Sequence, residues 1–130
     1  MEREIKFRGK RVDNVDNGKW VYGYYHKECS GAVFITEEAN LDVYNRQMVR
    51  AVSAETVGQF TGLRADSRNI YEGDILKLTN GQTGKVIWSW SSFKVFILET
   101  NEFYECENAI LKDAIIVGNI HDNPELLKTE

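Results

Sequence analysis

The sequence predicts a mainly β protein built from antiparallel strands. Three observations carry that expectation. Apolar and polar side chains alternate at period two through most of the chain, as in Ile5-Lys6-Phe7-Arg8-Gly9-Lys10. Turn-forming groups such as Asn17-Gly18, Ser30-Gly31 and Thr79–Gly84 separate these runs. Apolar residues at helical spacing are scarce.

In chain order, EIKFRGK sets Ile5 and Phe7 on one face and Lys6, Arg8 and Lys10 on the other, a strand with one apolar and one basic side. Asn17-Gly18 is a hairpin signal, because both positions tolerate positive φ. Trp20–Tyr25 is aromatic and β-branched and suits a second strand, with Gly23 marking a bulge or a close backbone approach. Ala32–Thr36 reads as a third. Over Glu37–Ala54 the spacing of Leu41, Tyr44 and Met48 predicts a short helix followed by a strand. Thr56–Phe60 reads as a strand and Thr61–Asn69 as a polar loop. Further strands are expected at Asp74–Leu78, Lys85–Trp90, Phe93–Glu99 and Ala114–Ile120. Val86, Trp88 and Trp90 share a face, which predicts tryptophans filling the core. Asn123 before Pro124 is an N-cap and first-position pair that starts a short C-terminal helix.

Glu72-Gly73-Asp74 stands directly ahead of an alternating run. Gly73 suits a positive-φ or bulge position at strand entry, and Asp74 can bond a nearby amide. Two carboxylates there bring no third ligand or nucleophile with them, so the triplet reads as a structural turn. Gly73-Asp74, the following apolar alternation, Gly84 and Lys85-Val86-Ile87-Trp88 together resemble the opening of SH3-like small barrels. About five short strands with tight turns would close best as such a barrel. The expected organisation is an N-terminal β region (1–60), an SH3-like barrel (61–122) and a short C-terminal helical tail (123–130).

Five blocks, KFRGKRVDN, GKWVYGYY, TVGQFTGL, IYEGDIL and VGNIHDNPELL, resemble in order and spacing the YopX family of phage and prophage proteins. The resemblance covers nearly the whole chain. It implies a phage or prophage origin and an SH3-like component, and it brings no activity or catalytic residue with it. Arg64–Asn69 departs from the family pattern, lacking the Asn-Gly turn that usually follows TGL.

Composition narrows the chemistry. The chain has 130 residues, 42% of them hydrophobic, enough for a core. The N-terminus carries charges of both signs and no apolar signal segment, and no apolar run approaches the ~20 residues of a membrane span. A cytoplasmic protein with no membrane partner is therefore expected. Without a secretion signal, Cys29 and Cys106 are expected as reduced thiols packed as small apolar groups. Formal charge is -4. Residues 1–12 are net basic and residues 98–130 net acidic, which suits an oriented field or head-to-tail self-contact.

His26 and Cys29 form an H-x2-C pair that Cys106 and His121 could complete as a zinc site. The second half has no knuckle spacing, so no metal and no cofactor are expected. Gly81–Lys85 lacks the following Ser/Thr and helix of a phosphate loop. No nucleophile elbow is present, and a non-enzyme is expected. Trp20, Tyr22 and Tyr24 share one strand face and are the candidate protein-binding residues. The alternative is a single-strand nucleic-acid site using Lys6, Arg8 and Lys10 with Trp88 and Trp90 as stacking platforms. Net negative charge disfavours that alternative. The reading is thus a non-catalytic accessory protein that binds a host or phage protein, with a second copy of the chain as one such partner.

Overall fold

The computed structural model describes residues 5–12, 18–41 and 43–127. Expectations resting on Arg3, Glu2, Glu4, Asn17 and Lys128–Glu130 lie outside them. The chain divides into two compact units, Met1–Phe60 and Thr61–Glu130. The protein is mainly β, with antiparallel ladders throughout.

In the first unit β1 (Phe7–Lys10), β2 (Trp20–Lys27), β3 (Val33–Leu41), β4 (Gln47–Val52) and the start of β5 (Gly58–Ala65) are ordered β4-β3-β2-β1-β5. Alternation puts Val21, Val33, Ile35 and Val52 into its core, with Phe7 and Val57 packed against them. Burying such side chains contributes roughly 1.5–3 kcal/mol each. Among the described residues the helix expected after Glu37 is absent. Residues 37–41 continue β3 instead, and the ladder with β4 slips between Thr36 and Leu41. Glu37 is buried there because Arg50 on β4 donates Nε to its carboxylate at 2.8 Å. A cross-strand ion pair, invisible to local periodicity, thus outweighs helical spacing.

A 3-10 turn (Ala54–Thr56) leads into β5. Thr56 Oγ1 accepts from the Lys10 amide at 2.9 Å and donates to the Ser53 carbonyl at 2.7 Å, tying this turn to β1.

The second unit holds the rest of β5, then β6 (Arg68–Tyr71), β7 (Asp74–Lys77), β8 (Thr83–Ser89), β9 (Ser92–Ile97), β10 (Glu102–Glu105), α1 (Asn108–Leu111) and β11 (Ile115–Asn119). The stretch expected as a polar loop, Thr61–Asn69, is largely strand. Its polar Thr61 is buried because its hydroxyl donates to the Ile70 carbonyl at 2.9 Å. Asp66 and Ser67, at φ 51° and 63°, supply the tight turn in place of Asn-Gly. Arg64 Nη2 donates to the Ser67 carbonyl across it.

The five-stranded sheet runs β10-β9-β8-β7-β11. It is open, with β10 and β11 at its edges, where the sequence suggested a closed barrel. Its core centres on Ile70, Leu76, Val86, Val95 and Ile97, capped by Leu111. A final 3-10 turn (Pro124–Leu127) begins where Asn123-Pro124 placed a helix start.

Trp88 and Trp90 do not enter this core. They are 51% and 90% exposed, because β8 runs past the end of the core after Val86 and Trp90 sits in the hairpin turn. Cys29 is likewise exposed, in the β2–β3 turn, whereas Cys106 packs against the core; both are free thiols.

Candidate functional site

The β1–β2 register pairs Arg8 with Tyr22 and Lys10 with Trp20. Directly paired residues lie on one face of the sheet, and residues two apart share it. Arg8, Lys10, Trp20, Tyr22 and Tyr24 therefore form one surface, with Val21 and Gly23 facing the core behind it. The two candidate sites read from the sequence overlap in this unit.

The guanidinium of Arg8 lies 4.6 Å from the centroid of Trp20, and Lys10 Nζ lies 5.6 Å from it. Both distances suit cation–π attraction. The stack has a cost for the nucleic-acid reading. Arg8, expected in a basic stripe along this strand face, is buried. A stacked, buried guanidinium presents little surface to phosphate. Lys6 and Lys10 are half-buried.

Tyr22 and Tyr24 keep 44% and 50% of their surface exposed, while Trp20 is half-buried under its cations. Behind them Gly23 is a close-approach position: a Cβ there would lie 1.9 Å from the Thr36 carbonyl oxygen. The glycine lets β2 and β3 approach closely behind the tyrosines. Tyr25, on the opposite face, stacks at 5.2 Å on Phe7.

Trp88 and Trp90 belong to the second unit. Trp88 packs edge-on against Phe93 at 4.8 Å. Trp90 and Ser91, at φ 53° and 71°, form the two-residue β8–β9 turn. The sequence places this break at Ser91-Ser92, between the expected strands Lys85–Trp90 and Phe93–Glu99; the turn sits one residue earlier, because Trp-Ser lacks the usual turn residues.

Gly73 has φ 95°, its amide donates to the Val86 carbonyl, and its own carbonyl accepts from Ile120. Asp74 is 2% exposed and its Oδ2 accepts from the Tyr71 amide at 2.8 Å. Gly73 and Asp74 hold the entry to β7 through these bonds. His26 and Cys29 lie in the first unit, Cys106 and His121 in the second. Among the described residues no group of three or more His, Cys, Asp or Glu side chains is placed to hold a metal ion. Among them, too, no helix is long and apolar enough to cross a membrane.

A sequence model of the YopX family, described as YopX protein, matches residues 6–128. The chain belongs to the YopX family. No curated protein matches this YopX chain. The blocks that carry the YopX resemblance fall on β1, β2, β5, the β6–β7 turn with its Gly73-Asp74 corner, and β11 with the final turn. They trace elements that organise the two units, and the aromatic face of β2 lies within one of them.

Proposed function

We propose that this YopX-family chain is a non-catalytic phage or prophage accessory protein that works in the bacterial cytoplasm by binding another protein. Trp20, Tyr22 and Tyr24 form the contact surface. The observation that carries this reading is the exposure of Tyr22 and Tyr24 on a strand closely packed on β3 at Gly23, beside a tryptophan flanked by Arg8 and Lys10. Tyrosine offers a large amphipathic contact at low entropy cost. The second unit, with its Gly73-Asp74 corner and short antiparallel strands, acts in this reading as an SH3-like module, its ladder open between β10 and β11. The partner is a host or phage protein, and the reaction chemistry of an enzyme is not required of any residue.

The test is affinity capture from bacterial lysate with the full chain, repeated with Tyr22→Ala/Tyr24→Ala. A partner retained after nuclease treatment and moderate salt, and lost with the double variant, supports the reading. Capture that vanishes with nuclease would favour the nucleic-acid alternative through Lys6, Arg8 and Lys10, which the burial of Arg8 argues against.

A further inference from the structure

We infer that Asn80 is a site of spontaneous hydrolytic deamidation, and that the connection between β7 and β8 is a latch that holds the reaction back. Asn-Gly occurs twice in the sequence, at Asn17-Gly18 and Asn80-Gly81. Asn17 lies outside the described residues, whereas Asn80 and Gly81 are both exposed between β7 and β8. Glycine after asparagine is the least hindered nucleophile a backbone offers, because it has no Cβ and a wide choice of φ and ψ. In an open chain the Gly81 nitrogen loses its proton and attacks Asn80 Cγ. A Cγ–N bond forms, the Cγ–Nδ2 bond breaks, and Nδ2 leaves as ammonia, taking up the proton. Water then opens the succinimide at either carbonyl and leaves an aspartyl or isoaspartyl residue at position 80.

The folded turn engages every group in that reaction. The Gly81 amide donates to the Leu78 carbonyl at 2.9 Å, so the nucleophile keeps its proton. Asn80 Oδ1 accepts from the Gln82 amide at 3.0 Å, and Asn80 Nδ2 donates to Gln82 Oε1 at 2.8 Å. Gln82 thereby holds the carboxamide by both of its ends. The Leu78 amide closes the turn by donating to the Gln82 carbonyl at 2.8 Å. Both flanks are tied to distant residues of the unit. The Thr79 hydroxyl donates to the Lys112 carbonyl at 2.8 Å, and the Thr83 amide donates to the two Glu99 carboxylate oxygens at 2.8 and 3.0 Å. Space is not the barrier, since Gly81 has φ 87° and a Cβ there would meet nothing within 4 Å. The reaction waits on the breaking of hydrogen bonds.

Three of these bonds involve the reacting groups: Gly81 to Leu78, Gln82 to Asn80 Oδ1, and Asn80 Nδ2 to Gln82. At the usual net worth of a hydrogen bond, opening all three is a penalty of about 100-fold. The native rate is the open-chain rate divided by that factor, because the reaction proceeds from the locally opened turn. Its products weaken the fold. A carboxylate at position 80 has no hydrogen to give Gln82 Oε1. An isoaspartyl link also lengthens the backbone of the connection, and the length of a hairpin loop fixes its register. Leu76 on β7 and Val86 on β8 belong to the core that this register assembles. The latch therefore sets the chemical lifetime of the second unit.

The experiment incubates the full chain folded and, in parallel, unfolded in guanidinium at the same pH and temperature. Peptide mass spectrometry follows the amide-to-acid mass gain at Asn80. The folded chain deamidates there about 100-fold more slowly than the unfolded chain. Gln82→Ala removes the acceptor of Asn80 Nδ2; it speeds the folded chain about 5-fold and leaves the unfolded rate unchanged. Hydrogen exchange of the Gly81 amide is slowed by the same factor as the deamidation. A folded chain that reacts as fast as the unfolded one, an unfolded chain in which Asn80 does not react, a folded Gln82→Ala with no gain in rate, or a Gly81 amide that exchanges as in an open chain would each overturn the inference. The wild-type rate ratio and the amide exchange need no variant, so they decide the matter if Gln82→Ala does not fold.

Discussion

Replacing Gly23 by alanine tests the close packing behind the aromatic face. The backbone opposes the change, since Gly23 holds φ +159°, a conformation that L side chains rarely adopt. Geometry opposes it as well. The new Cβ would lie 1.9 Å from the Thr36 carbonyl oxygen and 2.9 Å from its carbon. The closest ordinary carbon–oxygen approach is about 3.3 Å, so β2 and β3 must part by about 1.4 Å at mid-ladder. A backbone bond stretched that far from about 2.9 Å is no longer a hydrogen bond. Losing two flanking bonds at roughly 0.5–1.5 kcal/mol each and an overpacking cost of about 1–3 kcal/mol add to that backbone strain. The expected loss is at least about 2 kcal/mol, a large fraction of the ~5–15 kcal/mol that holds a domain together. The assay is urea unfolding followed by Trp20 fluorescence, in a background where the exposed Trp88 and Trp90 are changed to phenylalanine. Gly31→Ala is the control: its φ is +95° but a Cβ there meets nothing within 4 Å, so only the backbone cost of about 1–2 kcal/mol applies. Gly23→Ala within about 0.5 kcal/mol of its parent, or milder than the control, would refute the reasoning.

Asp74→Ala leaves the buried Tyr71 amide without its 2.8 Å acceptor and should cost at least about 1–3 kcal/mol in chemical denaturation. Burial, and then the negative charge of Glu105, push the Cys106 thiol up to about 11. Only about a thousandth of it is thiolate near pH 8, so iodoacetamide should label the exposed Cys29 first, as read by peptide mass spectrometry. Hydrogen bonds from Lys94 and then Ser92 hold the Glu105 carboxyl below the usual carboxylate range. Its contribution is therefore present above that range and lost as pH falls through the lowered value. Lys94→Met should return the Glu105 titration, followed by carboxyl NMR, toward the ordinary range.

Most strands were legible because one face of each is buried. Val21, Val33, Ile35, Val86, Val95 and Ile97 alternate with wetter neighbours, and that period survives without tertiary knowledge. Legibility failed where a polar side chain is satisfied from a distance. Glu37 reads as solvent-facing until Arg50 is beside it, and Thr61 reads as loop until its hydroxyl meets the Ile70 carbonyl. Shared face did not mean shared environment for Val86, Trp88 and Trp90, because the core ends before the strand does. On the aromatic face, alternation placed Trp20, Tyr22 and Tyr24 together. The cross-strand stack that buries Arg8 depends on register, which no single strand encodes.

The outermost ribbon of the five-stranded sheet, β10, is four residues long and carries Glu102 and Glu105 at its two ends. An approaching strand would have to strip water from those carboxylates for only a few backbone bonds. Short length and terminal charge make this border a poor template for amyloid-like growth, so crowded molecules can meet through discrete side-chain contacts without fusing their sheets.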